Sequence, residues 1–168
     1  MALRDIVTLQ DDTPVLRQIA RPVTAFDAKL GTLLDDMAET MYAAGGVGLA
    51  APQIGIRRRV VVIDVSEERD SILELVNPVM MATDGEQVCY EGCLSIPGKR
   101  GKTHRPNRVI VQAMDRHGDM FELTAEGFLA LALCHELDHL DGKLYIDIME
   151  GELIDDEAED DEPAGEEA

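Results

Sequence analysis

The residues with the clearest chemical meaning lie in the segment CHELDHLDGKLY, residues 134–145. On a helix, His135 and His139 stand four positions apart and share a face, so each can offer one imidazole nitrogen to the same cation. Glu136 is placed to approach a water activated by that cation rather than to ligate it. Such a set supplies a Lewis acid and a general base together. The same pattern arises by chance on polar helix surfaces, where it has no role. Here it sits in a stretch that is apolar nearly all round, where two histidines and a glutamate are costly to bury without a purpose. Asp138 could orient a ligand or cap a loop, and Asp141 reads as a solvated carboxylate.

A catalytic cation normally takes three protein ligands and keeps a position open. Three candidates exist for the third. The pattern HExxHxxGxxH would need a histidine at 145, but that position is Tyr145. A glutamate about twenty residues downstream would be Glu157 or Glu159, both in a segment without apolar anchors. The third candidate lies upstream in CYEGCLSIPG, residues 89–98, where Cys93 follows Gly92 and a thiolate could join the two imidazoles. A closed structural zinc site of Cys89, Cys93, His135 and His139 competes with it, but would leave Glu136 without a task. Cys134 and Cys89 otherwise read as small buried hydrophobes.

Positioning these groups requires a scaffold. The residues from Phe128 to Leu140 predict a buried helix that carries both histidines. An earlier helix is marked by Leu30, Leu33, Leu34, Met37 and Met41, with Asp27 as its cap and Gly45-Gly46 as its stop. Met37 and Met41 read as core. Thr13-Pro14 opens at most one helical turn. RRVVVIDVS (58–66) and ILELVNPVMM (72–81) read as strands, with Pro78 marking an edge or a bend in the second. RVIVQAMD (108–115) and MFELTAEG (120–127) flank the turn RHGD as a hairpin. GGVGLAAPQIG (45–55) is too glycine-rich for a regular element. The expected fold class is α+β, with short antiparallel strands around one central buried helix carrying HExxH.

With 168 residues, 45% of them apolar, the chain suits one compact domain. Its formal charge of −19 is uneven, because eleven carboxylates and no lysine or arginine lie between Glu150 and Ala168. The expected division is a single metallohydrolase domain over 1–154 and an acidic, disordered tail over 155–168. So acidic a surface argues against direct nucleic-acid binding. The N-terminus has no apolar signal region, and no apolar run reaches membrane-spanning length. Three cysteines are too few for a disulfide framework, which points to a reducing cytoplasm.

Three segments, GVGLAAPQIG (46–55), EGCLSIPG (91–98) and HELDHLDG (135–142), occur in an order and spacing that resemble the signature motifs of the peptide deformylases. The resemblance covers about residues 4–150. It implies the fold of that family and hydrolytic removal of the N-formyl group from the formyl-methionine of nascent polypeptides, with release of formate. It makes Cys93, His135 and His139 the metal ligands and Glu136 the general base and acid. Gln53 and the backbone N–H of Leu94 would hold the oxyanion, and Gly48 would present its backbone to the substrate. Arg100 matches a basic substrate-binding position, and Val47, Phe128 and Leu131 are candidates for the methionine pocket. The implied metal is one divalent ion, Fe2+ as the native species, with Zn2+, Ni2+ or Co2+ as substitutes.

A formyl group carries only hydrogen on its carbonyl carbon, so a tight pocket can accept it and exclude bulkier acyl groups. The partners implied are N-formyl-methionyl nascent peptides, in the neighbourhood of the ribosome, with no nucleic acid bound directly and no membrane. Two departures stand out: Cys134 replaces a common glutamine, and an acidic tail replaces the basic ribosome-docking helix of some bacterial relatives. A general HExxH metallopeptidase and a non-catalytic zinc-stabilised binding module are the alternative readings.

Overall fold

The computed structural model of the chain describes residues 2–156. Its first helix, α1 (Ala28–Ala43), starts where the Asp27 carboxylate accepts a hydrogen bond from the Leu30 amide at 3.1 Å. Leu30, Leu34, Met37 and Met41 form its buried stripe. It ends before Gly45, whose φ of 73° only glycine adopts without strain.

Five strands form one antiparallel sheet in the order β1 (Gly48–Ala50), β2 (Val60–Ile63), β3 (Leu73–Asp84), β6 (Arg108–Met114) and β7 (Met120–Glu126). The uninterrupted apolar run in β2 follows from burial on both faces. Val60 and Val62 join the core around α1, while Val61 and Ile63 join the core around the second helix, α2 (Gly127–Leu140). Ala130, Leu133, Leu137 and Leu140 of α2 belong to that second core. The sheet therefore lies between the two helices. Residues 108–114 and 120–126 pair as the expected hairpin.

A second sheet has the order β4 (Gln87–Cys93), β5 (Ile96–Arg105) and β8 (Glu150–Asp155). Here the sequence reading needs correction. Neither β4 nor β5 is among the strands read from the sequence, because glycines and charges interrupt any alternation over 87–105. Segment 45–55, expected to be irregular, contains β1 and a short 3-10 turn, Ala51–Ile54. Ala50 of β1 joins the core around α2, while Leu49 joins the core around α1. Pro78 does not mark an edge, since β3 is internal; it sits in a bulge between Val76 and Val79, beside Asn77 at φ 51°.

The acidic terminus begins as structure. Asp155 closes β8 opposite Lys99, and Asp156 pairs with Arg100. A boundary at 154 thus falls short of these two residues, and the remainder of the tail, with Glu157 and Glu159, lies outside the described residues. Among the described residues no helix is long and apolar enough to cross a membrane.

Candidate metal centre

The end of β4 and one face of α2 bring Cys93, His135 and His139 together, with their ligand atoms all within 4.8 Å of one another. The Cys93 Sγ lies 3.4 Å from His139 Nε2. The helical spacing of the histidines and the exit of β4 beside them are enough to make this cluster. Cys89 is not part of it. Four residues along a strand amount to roughly 13 Å, and Cys89 is buried elsewhere, its thiol pushed up to about 11 chiefly by burial. The four-ligand structural zinc site is therefore not formed. Cys134 faces a different cavity, with Leu137 and Asp138.

His135 is oriented from behind. Its Nδ1 lies 2.8 Å from Glu91 Oε1. Arg105 grips the same carboxylate through Nε at 2.6 Å and Nη2 at 3.0 Å, and the Thr103 hydroxyl donates to it as well. Arg105 also reaches Asp138 at 2.8 Å, which closes the bracket back onto α2. Burial alone would raise the Glu91 pKa, but bonds from His135 and Arg105 hold it at about 2. An anionic carboxylate fixed on Nδ1 leaves the opposite ring nitrogen free to ligate and makes it more basic. The second ring, Tyr145, stacks on His135 at 6.2 Å between centroids.

The electrostatics suit a cation. Burial pushes His139 well below the usual histidine range, so it is a neutral imidazole. At His135 burial acts in the same direction, but the Cys93 sulfur and the Glu136 and Glu91 carboxylates outweigh it and favour positive charge there. His139 Nδ1 and Glu136 Oε1 are buried without a hydrogen-bond partner among the described residues. A field that attracts positive charge, three soft or borderline donors and orphaned polar atoms fit one divalent transition metal.

These groups form the floor of a cavity of about 510 Å³. Val47, Gly48, Gln53, Cys93, Leu94, Arg100, Phe128, Leu131, His135 and Glu136 all line it; of the residues to which the family resemblance gives a role, His139 alone does not, being buried against Cys93. Glu136 is buried, and desolvation raises its carboxyl pKa to about 7. Its Oε2 would stand 2.6 Å from a Cβ placed on Gly48, so glycine there is a matter of space. The Gln53 side chain is held by the Ala50 amide, which donates to Oε1 at 2.9 Å. Its Nε2 is thereby aimed at Ser95 Oγ, 3.2 Å, and at Cys93 Sγ, 3.5 Å.

Glu91, Thr103, Arg105 and Ser95 were not picked out from the sequence. Glu91 had a readable signal, since it stands two residues before Cys93 and strand alternation puts both on one face. Arg105 had none; only the pairing of β4 with β5 delivers it.

This fold and this site define a metal-dependent hydrolase. Residues 3–153 match the family model of the polypeptide deformylases. Peptide deformylases of Acetivibrio thermocellus and Caldanaerobacter subterraneus are 52% and 53% identical over 147 residues, covering 88% of this chain and 84% and 89% of theirs. The crystal structure of a peptide deformylase from Legionella pneumophila superposes with a TM-score of 0.84 at 48% identity, over 89% of this chain and 87% of that one. The one from Thermotoga maritima gives 0.85 at 39%, over 90% and 100%. The chain belongs to the peptide deformylase family. Its activity is accordingly metal-dependent removal of the formyl group from formylated nascent peptides, which sets aside the general metallopeptidase and the non-catalytic module.

Proposed function

We propose the following division of labour within that reaction, carried by one observation: three metal donors cluster with their ligand atoms within 4.8 Å of one another, beside a buried glutamate that lines the cavity. Cys93, His135 and His139 would hold the metal. Bound there, a divalent ion supplies Lewis acidity, which makes water nucleophilic near neutral pH and polarises the formyl carbonyl. Glu136 takes a proton from the attacking water and delivers it to the departing amine nitrogen. The Gln53 amide N–H and the backbone N–H of Leu94 donate to the oxygen that becomes negative as the carbonyl carbon turns tetrahedral, in a site shielded from water. Gly48 leaves room for Glu136 and lets the peptide backbone approach. Val47, Phe128 and Leu131 receive the methionine side chain, and Arg100 meets the chain beyond it.

Ferrous iron is the native metal in this reading. Affinity alone favours zinc over ferrous iron at such a donor set, so protein prepared in air fills with zinc. Were ferrous iron held there, Cys93 would place its sulfur beside a metal that oxygen can oxidise, and the thiolate would be exposed to the same oxidant. The site of action is the cytoplasm, close to the ribosome where formylated chains emerge. Measuring formate release from formyl-Met peptides, against acetyl-Met and free Met peptides, tests the reading. Protein prepared without oxygen should be fast with iron and decay in air, while nickel or cobalt protein lasts. Equal rates for iron, zinc and metal-free protein would overturn it.

A further inference from the structure

Gly45, Gly46, Val47 and Gly48 form one wall of the active cavity. Three of these four residues are glycines, which restrict their own backbone less than any other residue. The wall must therefore be positioned by its surroundings. Within the cavity it rests on Leu94, against which Gly46 packs so closely that a Cβ there would come within 2.8 Å of Cδ1. Two residues that do not line the cavity hold the wall from behind. The Asp64 amide donates to the Val47 carbonyl at 2.8 Å, and Arg69 Nη2 donates to the Gly46 carbonyl.

The loop after β2 is folded so as to deliver that guanidinium. The Asp64 carboxylate accepts from the Ser66 amide at 2.9 Å, the Ser66 hydroxyl at 2.5 Å, the Ser71 amide at 3.1 Å and the Tyr42 hydroxyl at 2.6 Å. The loop thus closes around Asp64 without help from Arg69. Arg69 nevertheless takes a φ of 57°, a left-handed backbone that long side chains rarely adopt. From there its guanidinium lies over the Tyr42 ring, 5.1 Å from the centroid, and its Nη1 donates to the Asp64 carbonyl at 2.8 Å. One arginine so bridges the loop, the last turn of α1 and the glycine-rich wall. We propose that Arg69 is a positioning residue for the substrate: it clamps Gly46 against Leu94 and thereby sets where Val47 stands in the methionine pocket. The inference rests on the reading, given above, that Val47 walls that pocket. Arg69 acts through Gly46 and does not touch the peptide.

The test measures kcat and KM separately for metal-loaded, full-length enzyme on formyl-Met and formyl-Ala peptides. Arg69→Asn keeps a residue that tolerates left-handed backbone but removes the reach to Gly46. It should raise KM for the formyl-Met peptide by roughly tenfold with kcat close to wild type, because a small displacement of the wall weakens binding while the metal donors and Glu136 stay in place. The preference for formyl-Met over formyl-Ala should fall by a similar factor. Arg69→Lys, which keeps the charge and a donor without the fork, should recover part of both losses. If Arg69 serves only the loop, Arg69→Asn will lower the melting temperature and leave KM and the Met-to-Ala preference of the folded, metal-loaded enzyme unchanged, which overturns the inference. Equal losses on both peptides, or a lysine variant no better than the asparagine one, overturn it as well. A Val47→Ala variant that keeps the full preference for methionine would instead overturn the reading of the pocket on which the inference rests.

Discussion

Gly48 and Glu136 share a space with no room for another carbon. A methyl group on Gly48 would collide with the Glu136 carboxylate at 2.6 Å from Oε2 and 2.9 Å from Cδ, and both are buried deeply enough that something must shift. Gly48→Ala should therefore lower kcat while the metal content stays at one equivalent, which elemental analysis and formate-release kinetics will separate. Glu136→Gln should also keep metal and fold but lose turnover by ~10²–10⁴-fold or more, since one residue serves as base and then acid. A near-wild-type rate in that variant would remove Glu136 from the mechanism. Cysteine gives a second contrast. Cys93→Ser should lose most metal affinity, whereas Cys134→Ser, on the other side of α2, should cost stability and leave the metal. Among single residues, the three clustered donors and the glutamate beside them were legible in the sequence because helical spacing and a glycine-flanked cysteine have direct chemical readings. Arg105 was not, because it meets Glu91 only through the pairing of β4 with β5, which no local pattern encodes.

At the scale of elements, helices and the hairpin were readable wherever burial is one-sided, as in α1 with its stripe from Leu30 to Met41. The strands β4 and β5 were not, because Glu91 and Arg105 are charged residues on an inward face, which inverts the expected pattern. β8 was hidden for a related reason: EGELID has almost no apolar content, and ion pairs rather than burial hold it. Its docking should respond to pH. His104 lies between Glu86 at 3.1 Å and Glu150 of β8 at 2.6 Å, with Lys102 also near Glu150 at 3.6 Å. Hydrogen bonds from Glu150 and Glu86 raise the His104 pKa above its ordinary value. A raised histidine contributes its stabilisation fully below the unfolded value of ~6.5 and loses it as pH rises through the folded one. Amide protection factors in β8 should thus fall from pH 6 to 8, and His104→Gln should flatten that dependence. An unchanged profile in the variant would mean that backbone pairing alone holds the strand. Ending the chain after Asp156 should leave metal content and turnover of short neutral formyl-peptides essentially unchanged, because no proposed ligand lies beyond it; lost metal would revive a ligand from Glu157 or Glu159.

Across the whole molecule, two buried ionic centres set the response to acid and to metal removal. Asp64 is fully buried; burial would raise its pKa, but bonds from Ser66, Tyr42 and backbone amides of Ser66 and Ser71 hold it at about 2. A depressed carboxylate stabilises the fold above its unfolded pKa of ~4 and loses that contribution as pH falls toward 2. Asp64→Asn should therefore lower stability at pH 7 and make it less dependent on pH between 4 and 2, as urea melts at both ends will show. Metal removal acts on the other centre. Stripping the cation leaves buried His139 and Glu136 beside half-buried Cys93 without compensation, so apo protein should melt at a lower temperature and recover on reloading. Equal melting temperatures would mean that the site pre-forms without cost.

The donors to the metal are far apart along the chain, with Cys93 46 positions before His139. During synthesis from the N-terminus at about 5–20 residues per second, Cys93 emerges roughly 2–9 s before its last partner. For that interval the thiol has neither cation nor helix over it, and peroxide or a disulfide-forming thiol can reach it. Cells under oxidative stress should therefore accumulate a fraction of newly made enzyme that takes up no metal until its thiol is reduced, separate from the damage that mature enzyme suffers at its metal site.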